Sequence, residues 1–135
     1  MPQLTRSLSD LLNKLSPYTL SLLGFAVILT LCWLPASTVQ EPKWFHIPNA
    51  DKVIHFGLFF VWAFCLRHDL HQQIVKAYRL LLLVVLLGLF TALLTEFLQP
   101  IVSNRTRDWI DGIADVTGIL TAVCCFPFFV KKNSL

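Results

Sequence analysis

The chain has 135 residues, room for one domain. Its composition, 56% hydrophobic and 14% charged with Phe the leading aromatic, is too apolar for a soluble globule of this size; the apolar residues fall in blocks, as in a protein that crosses a bilayer several times. The net charge of +3 is modest, and the basic residues sit at segment ends without a basic and aromatic stripe, which argues against nucleic acid as a partner.

Residues 4–16 put Leu4, Leu8, Leu11, Leu12 and Leu15 on one helical face, with Arg6 and Lys14 elsewhere, the pattern of a short interfacial helix. A first span follows from about Tyr18 to Leu34, ended by Pro35. A cleaved signal peptide is the alternative for this block, but the polar lead-in is long and "LPAST" offers no small-x-small site.

The second block, Val53 to Leu66, is short of the ~20 residues that a bilayer needs, and the basic stretch from Arg67 fixes its far end. To cross, it must draw Asp51, Lys52 and His55 against the opposite interface. His68 and His71, with Arg67 and Asp69, then read as solvated loop residues. A third span runs from about Leu80 to Leu98, carries Glu96 near its end and stops at Pro100. The fourth, about Ile110 to Val130, has Asp111 and Asp115 in its first two turns.

The expected fold is therefore an all-α integral membrane bundle of four transmembrane helices over residues 18–130. An interfacial segment, 1–17, precedes it and a basic tail, 131–135, follows. Arg6, Lys14, Arg67, Lys76, Arg79, Lys131 and Lys132 flank one side; Lys43, Lys52, Arg105 and Arg107 flank the other. The richer side is expected to be cytoplasmic, with both termini inside a cell-membrane protein. Trp33, Trp44 and Trp109 then mark the outer interface, and Tyr18 and Tyr78 the inner one.

This topology gathers charge at one depth. Asp51, Lys52 and His55 start the second helix, Glu96 and Gln99 end the third, and Asp108, Asp111 and Asp115 share a face at the start of the fourth. Gly88 and Ala92 lie on the stripe of Glu96, and Gly118 and Ala122 extend the fourth helix at small-xxx-small spacing, which favours close packing. Ionisable groups at this depth are costly unless they face the bundle interior or a wet cavity, so an outward-facing polar pocket is expected.

Within it Asp111 and Asp115 are like charges one turn apart; a shared proton, Lys52, Arg105 or a bound cation must relieve them. No cofactor is required by the sequence, although carboxylates with a His suit a divalent cation. Cys32, Cys65, Cys124 and Cys125 lie in apolar blocks without ligand spacing and read as small packers. His46 reads as a loop residue, and Ser37 and Thr38 have no base at a recognisable spacing.

"DKVIHF" at the start of one span, "TEFLQ" at the end of the next and "RTRDWIDGIADVTG" leading into the last resemble the VanZ-like family over roughly residues 20–130. The resemblance carries Asp51, Lys52, His55, Glu96, Gln99, Arg105, Asp108, Asp111 and Gly118 onto the family's D-K-x-x-H, E-x-x-Q and R-x-x-[SD]-x-x-D-x-x-x-N-x-x-G pattern. Asp115 departs from it, standing where the family usually shows Asn. The resemblance implies a cell-envelope role; the family's namesake is linked to resistance to the glycopeptide teicoplanin, which does not by itself make this chain a resistance protein.

Three functions compete. The first is binding, or modification, of an anionic lipid or lipid-linked cell-wall precursor headgroup. There Lys52 and Arg105 hold the anionic group, His55 or Glu96 transfers a proton and Asp111 orients it. The second is a small proton- or cation-coupled transporter, for which four spans are few without a homodimer. The third is a non-catalytic accessory to a membrane-protein partner, with the charges as glue between helices. Transport asks for a polar path past Asp115, where "VTGILTAVCCFPFFV" offers Thr117 and Thr121 alone.

Overall fold

The computed structural model describes residues 16–35, 49–71, 73–74, 76–103 and 108–129. They form four helices and no strands: α1 (Thr19–Cys32), α2 (Ala50–His71), α3 (Ala77–Ser103) and α4 (Trp109–Phe129). The last three are long and apolar enough to cross a membrane. Almost all of the expected interfacial helix, together with Ser37, Thr38, Lys43, Trp44, His46, Arg105, Arg107 and the basic tail, lies outside the described residues.

Helix α1 is shorter than the expected Tyr18–Leu34 run. Tyr18 adopts a left-handed conformation with φ 75°, and Trp33 has already left helical geometry. Its 14 residues reach about 21 Å at 1.5 Å per residue, less than the ~30 Å of hydrocarbon.

The core lies where α2 meets α1, α3 and α4. Phe59, Trp62, Ala63 and Leu66 of α2 are buried with Ile28, Val84, Ile119, Ala122 and Val123. At Gly118 the approach of α4 to α2 is close enough that an added Cβ would stand 2.5 Å from the Phe56 carbonyl oxygen. The outer faces carry exposed Leu22, Leu23, Val61, Leu82, Phe90, Leu93 and Leu120, an apolar surface suited to lipid.

Two further expected boundaries moved, at the ends of α2 and α3. Helix α2 does not end at Leu66 but continues through Arg67, His68 and Asp69 to His71. Tertiary partners reach Asp69 and one Arg67 nitrogen, Nη1, so these two residues need no loop, although Arg67 Nε is buried with no partner among the described residues. The buried Asp69 carboxylate accepts from the Ser21 backbone N–H and hydroxyl, each at 2.9 Å. The Arg67 guanidinium donates to the Val123 carbonyl and lies over the Phe126 ring, 4.7 Å from its centroid. Ser21 sits in the first turn of α1, where backbone N–H groups lack helical partners, so Asp69 caps a helix that is not its own.

Likewise α3 does not stop at Pro100; the proline lies inside it and the helix runs on to Ser103. Proline withholds one N–H, the one owed to the Glu96 carbonyl, and membrane helices tolerate such a loss where neighbouring polar groups gather.

Polar groups thus form two layers along α2. His55 and Asp69 are fourteen positions apart, about 21 Å along the axis. That separation is smaller than the hydrocarbon thickness, so the two layers cannot both lie outside it.

Candidate functional site

The site is built from three helix ends. Asn49, with φ 63°, starts α2; its carbonyl accepts the N–H groups of Lys52 and Val53, which sets Asp51 and Lys52 in the first turn. Asp108 caps α4: its Oδ1 accepts the Ile110 N–H at 2.9 Å, a stabilising placement for a carboxylate at a helix N-terminus. The Lys52 ammonium joins the two helices, donating to Asp51 Oδ2 at 2.9 Å, Asp108 Oδ2 at 2.8 Å and Asp111 Oδ1 at 3.1 Å. Asp51 and Asp108 are partly open to solvent, while Asp111 is buried. The Lys52 ammonium, with the Ile110 N–H behind it, holds the Asp108 carboxyl below the usual carboxylate range.

One turn deeper lies a second set. His55 Nδ1 is 2.9 Å from Asp115 Oδ1, and both residues are buried. Glu96 of α3 is buried as well, yet neither of its carboxylate oxygens has a hydrogen-bond partner among the described residues; nor has Asp115 Oδ2. One ligand atom from each of His55, Glu96 and Asp115 falls within 4.8 Å of the others. Glycine makes room: a Cβ at Gly112 would meet Glu96 Cγ at 3.7 Å, and Gly118, one turn and a half further along α4, holds α2 at backbone distance.

The two acids that crowd each other in the sequence thus have separate partners, Lys52 for Asp111 and His55 for Asp115. It is Asp115, and not Asp111, that orients the imidazole. Gln99 turns from the cluster to α1, its amide donating to the Cys32 carbonyl at 3.2 Å. Arg105 belongs to the segment outside the described residues.

A sequence model of the VanZ/LLP1 family matches residues 5–130. The chain belongs to the VanZ/LLP1 family. No curated protein and no solved structure matches it. The three stretches that resembled VanZ-like proteins are the three helix ends just described, and of their pattern Asp51, Lys52, His55, Glu96, Asp108 and Asp111 come together, while Gln99 points to α1 and Arg105 lies outside the described residues.

Its charge balance is acidic. Five carboxylates, from Asp51, Glu96, Asp108, Asp111 and Asp115, face Lys52 and His55. A carboxylate buried within a membrane helix is costly unless it is paired, so Glu96, with neither oxygen bonded among the described residues, is the expensive member of the deeper set. Chemically, the rim is a closed ion cluster, and in the floor His55 serves one Asp115 oxygen while both Glu96 oxygens and the other Asp115 oxygen meet no donor among the described residues.

Sequence reasoning missed the opposite polar layer of Asp69 and Ser21. A signal was present: His55, Phe59, Trp62, Leu66 and Asp69 follow at i, i+4, i+7, i+11 and i+14, one continuous buried face. It also missed Thr91 and Thr95, buried on α3 beside Glu96, whose hydroxyls bond back to carbonyls of their own helix.

Proposed function

We propose that this membrane protein binds the headgroup of a lipid, or of a lipid-linked cell-wall precursor, in the polar cluster, with the acyl part against the neighbouring helix faces. One observation carries the reading. The ionisable groups grade from a partly open rim to a buried floor, and the same helix ends expose Val53, Ile54, Phe97, Ile101, Ile110 and Ile113. Charge bordered by lipid-facing aliphatic surface suits an amphiphile better than a soluble ligand.

The acidic balance refines the headgroup. Hydroxyl or ammonium donors of the headgroup meet the carboxylates. A phosphate reaches Lys52 only by displacing Asp51 or Asp108, the two more exposed of its three partners, with Arg105 as a second cation. Were the headgroup also modified, His55, oriented by Asp115, or Glu96 would move the proton. A cell-wall precursor as the occupant would account for a teicoplanin link, because glycopeptides and the site would then meet the same molecule.

A second reading has its own support. Three carboxylates on one ammonium make a clasp between α2 and α4 that would equally serve an accessory protein, as a homodimer or beside a membrane-protein partner. Transport is less well supported. Below the floor, α2 and α4 bury Phe59, Trp62, Ile119, Ala122 and Val123, and Thr117 and Thr121 spend their hydroxyls on carbonyls of their own helix.

Native mass spectrometry of the purified chain separates the first two. Lys52→Gln and Arg105→Gln should each lower the retained lipid, with melting temperature recorded on the same samples. Arg105→Lys should recover part of the load, because it keeps the charge but not the two-pronged geometry. A full lipid load in both Gln variants, together with early melting, would leave the clasp as the role of these charges.

A further inference from the structure

We infer that His55, Glu96 and Asp115 bind one divalent transition-metal ion of the Zn2+ or Mn2+ type at the floor of the cluster. The contrast between the two layers carries the inference. In the outer layer three carboxylates converge and the chain supplies their cation, the Lys52 ammonium, at 2.8–3.1 Å. In the inner layer two carboxylates and an imidazole converge in the same way, and among the described residues no Lys or Arg reaches them.

The inner groups are 4%, 8% and 0% exposed for His55, Glu96 and Asp115, so water does not offset their charge. Both oxygens of Glu96 and one of Asp115 are buried without a partner, which is the acceptor capacity that a cation would fill. A divalent ion balances two carboxylates and a neutral imidazole to zero net charge, the state a membrane interior favours.

The donor set narrows the ion. One nitrogen and carboxylate oxygens, without a thiolate, suit Zn2+, Mn2+ or Fe2+ better than Cu+, and the His disfavours Ca2+ and Mg2+. His55 Nδ1 and Asp115 Oδ1 stand at hydrogen-bond distance, 2.9 Å; with each ~2.1 Å from one ion they would subtend about 90°, as in an octahedral shell, and a tetrahedral Zn2+ would part them to about 3.4 Å. Glu96, held by no hydrogen bond, can rotate to close the remaining side. Three helices each give one ligand, so the ion would also tie α2, α3 and α4 together. Three protein ligands leave a position open toward the rim for water or for a headgroup oxygen.

The inference does not depend on headgroup binding, and the test keeps the two apart. The full chain, purified in detergent and stripped with a chelator, is loaded with Zn2+ or with Mn2+, desalted and assayed for metal, with lipid content measured on the same samples. The wild type should retain about one ion per chain and melt at a higher temperature than the stripped protein. Glu96→Gln and Asp115→Asn should bind at least ~100-fold more weakly, and His68→Gln, at the other end of α2, should bind as the wild type does. Failure of the wild type to retain either ion would overturn the site, as would undiminished binding in Glu96→Gln.

Because an altered floor residue can impair folding, a measurement on the wild type stands beside the variants. Electron spin echo modulation from the Mn2+-loaded protein should show one imidazole nitrogen, and a spectrum without nitrogen coupling would overturn the site. Metal retained with lipid lost counts against the headgroup reading alone. Lipid retained with no metal counts against this one alone.

Discussion

Asp108 holds two groups at once, the Ile110 N–H with one oxygen and the Lys52 ammonium with the other. Substitution by Asn separates these duties, since Asn caps a helix as well as Asp but carries no charge for Lys52. The folded-state pKa of Asp108 is depressed. Its ion pair therefore contributes stability above the unfolded carboxylate pKa, and the contribution disappears as the pH falls through the lower folded value. The difference in melting temperature between wild type and Asp108→Asn should be largest near neutrality and shrink below about pH 4. A carbon-detected NMR titration of the Asp108 carboxyl should also move up toward the ordinary value in Lys52→Gln; an unchanged midpoint would mean that the cap alone holds it low. At this scale the sequence grouped the right residues, because Asp108, Asp111 and Asp115 share a helical face whatever the rest of the fold does. It did not tell which acid meets which base. Lys52 could have relieved Asp115 as readily as Asp111, and the choice depends on the rotation of α4 against α2, which follows from the contact at Gly118.

That contact makes the element scale testable through glycine. A Cβ at Gly118 would stand 2.5 Å from the Phe56 oxygen and 3.0 Å from the Phe60 nitrogen, both backbone atoms that cannot turn aside. At Gly88 it would stand 2.8 Å from Ile119 Cδ1 and 3.0 Å from its Cγ2, side-chain atoms of a buried residue that can shift more readily than backbone. At Gly57 it would meet nothing within 4 Å. Alanine should therefore cost most at 118, about 1–3 kcal/mol as overpacking, less at 88, and little or nothing at 57, where the helix propensity of Ala favours the change. Melting of the three variants in one detergent checks the order, and a Gly57→Ala protein less stable than Gly118→Ala would contradict it. Small residues at helical spacing made the α3 and α4 stripes legible in advance. The ends of α2 and α3 were not, because Arg67, Asp69 and Pro100 are local stop signals whose meaning was reversed by partners elsewhere: Ser21, Val123 and Phe126 for the first two. Local chemistry reads a charge as an end; only the tertiary fold turns it into a buried partner.

For the whole molecule the question is which side of the membrane the cluster faces. Helix α1 links both polar layers, with Ser21 at Asp69 near its start and the Cys32 carbonyl at Gln99 near its end. It therefore runs from the Asp69 end of the bundle to the cluster end, and α2, α3 and α4 alternate in direction after it. The end of α3 and the start of α4 then lie on the cluster side, and the end of α2 and the start of α3 on the other. The four-helix architecture was legible from apolar blocks, yet the short α1 was not, because its first and last turns are set by side chains of α2 and α3. Sidedness rests on the basic residues, which are richer at the Asp69 end, where Lys76 and Arg79 are exposed. With the native cysteines replaced, a thiol reagent that cannot cross the membrane should label Asn104→Cys in intact cells and leave Lys76→Cys unlabelled until the cells are opened. That result would place the Lys52 rim toward the outer compartment, where lipid-linked wall precursors are used. The reverse pattern would turn the rim toward the cytoplasm, and the proposed headgroup would then have to belong to a lipid of the inner leaflet.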